Sequence, residues 1–287
     1  MKHLKKLVLA GAFALTSLVV GNSMADSKPT LKLGYVQGWD DSVASATVAA
    51  QVIEKRLGYP VKLIPAAPGI MWGGVARGDL DIILAAALPN SHAAYWERYK
   101  DQVQDLGANC LGAKIGLVVP DYVSIDSIAD LSAHKADFSG RIVGIDAGAG
   151  IMKKAADAIK VYNLDYELLP SSGPAMVAEL SRSINAHKPV VVTGWVPHWM
   201  FAKWKLKFLQ DPKSAFGDGD HYDSVVNPSL DSKAPSVVAF LKKFQWKPGE
   251  LDSIMLATEN GAKPDDAAAS WIAAHGERVN TWVGASQ

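Results

Sequence analysis

The sequence predicts an exported α/β protein in two lobes, each a mostly parallel sheet flanked by helices. Three observations carry this expectation: a leader-like N-terminus, a βαβ rhythm that runs through two cycles, and a tail that is helical without strands.

Residues 1–25 have the layout of a signal peptide. Lys2, Lys5 and Lys6 form a positive start, and 7–20 is an apolar run interrupted only by Gly11, Thr16 and Ser17. Ser23 and Ala25 supply small residues before a cut ahead of Asp26. The run is 14 residues long, short of the roughly 20 that span a bilayer. Cleavage would leave 262 residues, with 26 basic against 29 acidic side chains once three of the 29 lysines and arginines are gone. A net charge of −3 gives no field that would hold nucleic acid or anionic lipid. No later apolar stretch is long enough for membrane insertion, so a soluble protein working outside the cytoplasmic membrane is expected. Cys110 is the only cysteine, so there is neither an internal disulfide nor a lipid-anchor cysteine at the cut.

The first cycle reads as strand 31–36, amphipathic helix 42–57 with Val43, Ala46, Ala50 and Ile53 on one side, strand 61–64, short helix 70–77, strand 81–86, helix 91–99 and strand 115–119. Pro120 ends it. The second reads as a short helix 124–131, strand 141–145, helix 151–161, strand 166–169, helix 174–186 and the apolar strand 189–193. Helices at 235–244, 249–259 and 264–283 complete the chain, and Pro264, Asp265 and Asp266 suit a helix start. In open α/β sheets ligands bind at the carboxyl ends of strands, so the residues that follow strands are the candidates.

Trp39 and Trp195, two of nine tryptophans, follow predicted strands. Facing indoles would attract a quaternary ammonium or sulfonium by cation–π interaction, although packing at a lobe edge also explains a lone tryptophan. Trp72, Trp96, Trp199, Trp204, Trp246, Trp271 and Trp282 fall in or beside helices and read as packing residues. Trp199 is the one to watch, because it follows the rigid Pro197. Between a strand and a helix, 146–151 spells Asp-Ala-Gly-Ala-Gly-Ile. Free amides at such a helix start suit a carboxylate or phosphate. Lys153 stands where a dinucleotide fingerprint needs its third glycine. His92 and His198 each could donate to an anionic oxygen or serve only as local supports. No motif of nucleophilic or metal-assisted catalysis is present and the histidines lack metal-ligand spacing, so neither cofactor nor metal is expected. Asp40-Asp41 and Asp218-Gly219-Asp220 read as turn or solvent residues.

These residues lie in longer segments that resemble the substrate-binding proteins of glycine betaine, proline betaine and choline ABC importers. The resemblance rests on 38–42 (Gly-Trp-Asp-Asp-Ser), 77–81 (Arg-Gly-Asp-Leu-Asp), 88–92 (Leu-Pro-Asn-Ser-His), 116–120 (Gly-Leu-Val-Val-Pro), 148–152 (Gly-Ala-Gly-Ile-Met), 193–201 (Thr-Gly-Trp-Val-Pro-His-Trp-Met-Phe) and 211–213 (Asp-Pro-Lys). It implies a type II-like periplasmic binding protein fold: lobe 1 from 26–118, lobe 2 from 119–225, and a tail at 226–287 returning to lobe 1. It also implies capture of a small zwitterionic or cationic ligand and delivery to a permease in the inner membrane. Trp39 and Trp195 match cage tryptophans, Gly150 and Ile151 match the amides that hold a carboxylate, and His92 matches its histidine. Ala87 stands where a third cage tryptophan is usual, which opens one face; Trp72, Trp199 or Tyr35 are candidates to close it. Receptors for choline, carnitine or dimethylsulfoniopropionate, and a secreted enzyme acting on a small amine, are the alternative functions.

Overall fold

The computed structural model describes residues 28–284; the expected leader, 1–25, lies outside them. In chain order the elements are β1 (Leu31–Tyr35), α1 (Asp40–Val52) running into a π-helical turn, β2 (Val61–Pro65), α2 (Pro68–Arg77), β3 (Ile82–Leu88), α3 (Ala93–Tyr99) and the long β4 (Gln104–Pro120). After a 3-10 turn come β5 (Arg141–Val143), α4 (Gly150–Val161), β6 (Glu167–Leu169), α5 (Gly173–Asn185), β7 (Val192–Val196), α6 (Met200–Lys203) and β8 (Leu206–Phe208). The chain closes with β9 (Asp220–Val226), α7 (Leu230–Lys233), α8 (Pro235–Leu241), α9 (Glu250–Glu259), α10 (Pro264–Ala274) and α11 (Gly276–Val283).

The architecture is a two-lobed mixed α/β fold. Strands run β2-β1-β3-β9-β4-β7-β5-β6, with β8 beside β4. Parallel pairing holds at β1–β2, β1–β3, β5–β6 and β5–β7. Antiparallel pairing is confined to the ladders of β4 and β9. β4 serves both lobes: Gln104 to Ala113 pair with β9, and Lys114 to Val118 pair with β7. Its first half is irregular, with three register shifts against β9; bulges of this kind bend and twist a strand.

Several elements differ from expectation for physical reasons. α1, with an apolar stripe in its sequence, is buried nearly all round rather than on one side. Its alanines are small enough for the sheet to pack on one side and the tail helices on the other. Gln51 Nε2 donates to the Asp265 carbonyl and Trp246 Nε1 to Ser45 Oγ, which fixes the second layer. The helix expected over 264–283 breaks at His275, whose backbone leaves the helical region just before Gly276. β4 starts eleven residues before the expected 115, and β9 has no counterpart among the expected strands. Inside the tail, Phe240, Phe244, Trp246, Trp271 and Trp282 pack in tilted, stacked and edge-on pairs. Such pairs contribute about 0.5–1.5 kcal/mol each beyond area burial.

Candidate functional site

The loops and helix starts at the strand ends meet between the lobes. They enclose a pocket with about 470 Å³ of unfilled space, its mouth included. From the first lobe come Trp39, which precedes α1, and His92, which precedes α3. Gly150 and Ile151 at the start of α4, and Trp195 on β7, enter from the second lobe. Trp195 lies within its strand rather than after it, because β7 begins at Val192, three residues later than expected.

The two indoles stand 6.3 Å apart, centroid to centroid, tilted by 50°. Trp39 Nε1 donates to Asp146 of the opposite lobe at 3.1 Å, which holds the ring in place. In the same pocket, the amides of Gly150 and Ile151 have no acceptor among the described residues. They are the unfilled donors of a helix N-terminus. His92 is fixed by two donors to its Nδ1, the Ala87 amide at 3.1 Å and Trp72 Nε1 at 3.3 Å. A nitrogen that accepts twice carries no proton, so Nε2 holds it and remains the donor. Burial lowers the His92 pKa to about 4, so the ring is neutral at physiological pH.

The lobes meet through backbone as well as side chains. A β-carbon at Gly150 would fall 1.7 Å from the Ser91 carbonyl oxygen, and one at Gly173 would fall 2.4 Å from that of Gly38. Only glycine permits these approaches. Trp199 Nε1 donates to Asp40 Oδ2 at 2.5 Å and Tyr95 Oη to the Gly148 carbonyl at 2.7 Å, adding two clasps across the cleft.

Not every candidate lines the pocket. Trp72 stands behind His92 as its support. His198 accepts the Met200 amide at Nδ1 and packs edge-on against Trp195, and burial lowers its pKa to about 3. Trp199 belongs to the clasp. Tyr35 is also absent from the lining, whereas Ala87 is part of it.

Two acids and a tyrosine in the lining are not legible in the sequence. Asp41 and Asp220 have the pattern of turn or solvent groups, yet they are 2 % and 6 % exposed. Asp220 accepts the Asn90 amide at 2.7 Å, the Ser91 amide at 3.1 Å and Ser91 Oγ at 2.5 Å, which pins the loop before His92. Asp41 Oδ1 has no hydrogen-bond partner among the described residues. Burial raises the Asp41 pKa to about 6, and the neighbouring Tyr222 hydroxyl offsets only part of that rise. Tyr222, on the unanticipated β9, is the third.

Residues 29–274 match the family model described as the substrate binding domain of ABC-type glycine betaine transport systems. The chain is 41 % identical over 145 residues to a glycine betaine/carnitine transport binding protein of Listeria monocytogenes. That alignment covers 50 % of this chain and 48 % of the relative, so the chain spans about half the length of that relative. Lactococcal OpuAC, closed on glycine betaine, superposes with a TM-score of 0.84 at 37 % identity, covering 89 % of this chain and 100 % of that one. A choline-binding protein of an ABC transporter, in complex with choline, gives 0.83 at 25 % identity, covering 89 % and 91 %. Matched over most of its length, this chain belongs to the family of substrate-binding domains of ABC-type glycine betaine transport systems.

Proposed function

We propose that this protein is the extracytoplasmic receptor of an ABC importer, capturing a small betaine-type zwitterion and handing it to a permease. The observation that carries the reading is a pocket lined by two unlike sets of groups: the indole faces of Trp39 and Trp195, and two free amides with a neutral imidazole donor that stacks 6.5 Å from the Trp39 ring. A cation rests against the first by cation–π attraction, and a carboxylate takes the donors of the second. Relatives that carry the names of glycine betaine, carnitine and choline support the same class. Binding and release need no reaction, so this role is transport and not catalysis. The leader-like start supports a periplasmic site of action, and among the described residues no helix is long and apolar enough to cross a membrane. For the lobe limits we place the crossings at Ala113–Lys114, where β4 changes partner from β9 to β7, and just before Asp220, where β9 begins, about five residues ahead of 118 and 225.

Isothermal calorimetry of Trp39→Ala and Trp195→Ala with glycine betaine and proline betaine tests the indole faces. Each substitution should weaken binding by about 1–3 kcal/mol, lost ring packing included, and Phe should be better tolerated. Unchanged affinity in both alanine variants would sink the assignment.

His92→Ala tests the donor set. A charge-assisted hydrogen bond contributes about 1.5–3 kcal/mol, so betaines should lose that much affinity while choline, without a carboxylate, loses far less. Equal losses for both ligands would mean that His92 only supports the loop.

A further inference from the structure

Asp41 and Tyr222 have no part in that scheme of indoles and anion donors. Asp41, in the first turn of α1, is almost wholly buried, lines the pocket and keeps an oxygen without a partner. A buried carboxylate oxygen left unpaired is costly, and nothing in the surrounding protein compensates it with a cation: no salt bridge reaches Asp41 among the described residues. Tyr222 stands directly across the β3–β9 ladder from Ala87. Side chains at opposed positions of an antiparallel pair share a face, with β-carbons about 4.5–5.5 Å apart. The space that a large side chain at position 87 would fill is therefore bounded by the Tyr222 ring, and that ring is itself buried and part of the lining.

We propose that Tyr222 and Asp41 form the third wall of the pocket, beside the small Ala87, and select a zwitterion whose ammonium carries at least one N–H over its fully methylated analogue. The tyrosine ring supplies an aromatic face in place of the one missing at Ala87. The Asp41 carboxylate supplies what an indole cannot, a charged acceptor. A quaternary ammonium answers its charge but leaves the oxygen unpaired. An ammonium with an N–H answers both, through a charge-assisted hydrogen bond. Trp39 and Trp195 do not distinguish the two cations, because cation–π attraction needs no donor.

The proposal rests on the betaine-receptor reading, and competition calorimetry with glycine betaine and N,N-dimethylglycine separates the two. These ligands share a carboxylate and a carbon skeleton and differ by one methyl in place of hydrogen. The wild type should bind dimethylglycine about tenfold more tightly or better. Asp41→Asn removes the charge and Asp41→Ala the acceptor, and both should bring the two affinities to within about twofold. Tyr222→Phe should keep the ranking, whereas Tyr222→Ala should weaken both ligands by losing the wall. If an Asp41 variant does not fold, the wild-type ranking alone decides. Wild-type preference for glycine betaine, or an unchanged ratio in the Asp41 variants, overturns the selectivity and leaves the receptor reading standing. Failure of folded wild type to bind either ligand overturns both.

Discussion

Gly150→Ala is expected to remove high-affinity ligand binding while both lobes stay folded. The added β-carbon would sit 1.7 Å from the Ser91 carbonyl oxygen, far inside van der Waals contact. Neither side can give easily. Gly150 opens α4, and Ser91 is held through its amide and hydroxyl by Asp220. The relief open to the molecule is to keep the lobes apart, and then the indoles and the free amides no longer reach one ligand together. Overpacking costs about 1–3 kcal/mol, and a clash between two backbones belongs at the upper end. Loading ~3 kcal/mol onto the closed arrangement lowers apparent affinity about 150-fold. Gly148→Ala is the control, since its β-carbon would meet nothing nearer than the Tyr95 hydroxyl at 3.8 Å. Calorimetry on both variants, with small-angle scattering to follow compaction on ligand addition, reads the result. Undiminished affinity in Gly150→Ala would mean that the ligand is not held in this closed arrangement.

Asp41→Asn should raise the stability of the ligand-free protein at pH 7 by up to about 3 kcal/mol. Burial raises this carboxyl from 3.8 to about 6, and each tenfold change in proton affinity between the unfolded and folded chain corresponds to about 1.4 kcal/mol. A group whose folded pKa lies above its unfolded value favours the fold when protonated. That contribution is complete below about pH 3.8 and is lost as pH rises through about 6. At pH 7 the wild type therefore holds a strained charge that asparagine lacks, and near pH 3.8 the gap between the two proteins should close. Urea unfolding of both near neutrality and near the lower limit makes the comparison. An asparagine variant no more stable than wild type at neutral pH would show that the charge is compensated. A carboxylate kept where it weakens the fold is the usual mark of a residue retained for function.

The elements that sequence periodicity locates are those with one apolar role. β1, β2, β3, α4, β6 and α5 fall within a few residues of expectation, because apolar runs and glycine or proline boundaries mark them. The crossing strands are opaque for a definite reason. Asn109 on β4 and Asp220, Asp223 and Ser224 on β9 are buried polar residues, so neither segment alternates or forms an apolar run. The pocket divides in the same way. Trp39, Trp195, His92, Gly150 and Ile151 are candidates by their places after expected strands or in a glycine turn, their roles come from the family resemblance, and they converge in the structure. Tyr222 is hidden with its strand. Asp41 reads in sequence as a turn or solvent residue beside Asp40, and only its burial in the pocket lining shows that it faces inward. Supports resemble ligand groups in sequence: Trp72, His198 and Trp199 carry the right chemistry but spend it on His92, on the Met200 amide and on Asp40.

Cys110, cross-strand from Tyr222 and beneath the pocket wall, makes the protein convenient for optical work. It is the only cysteine in the chain, it is buried, and its pKa is pushed up to about 12. With burial holding its pKa so far above neutrality, almost none of it is the thiolate that reacts with maleimides or iodoacetamides at pH 7. The native thiol is thus silent to such reagents while the protein is folded. One exposed cysteine introduced into each lobe would take a donor and an acceptor dye without any change to the natural residue. Energy transfer between them would report lobe movement in solution, molecule by molecule.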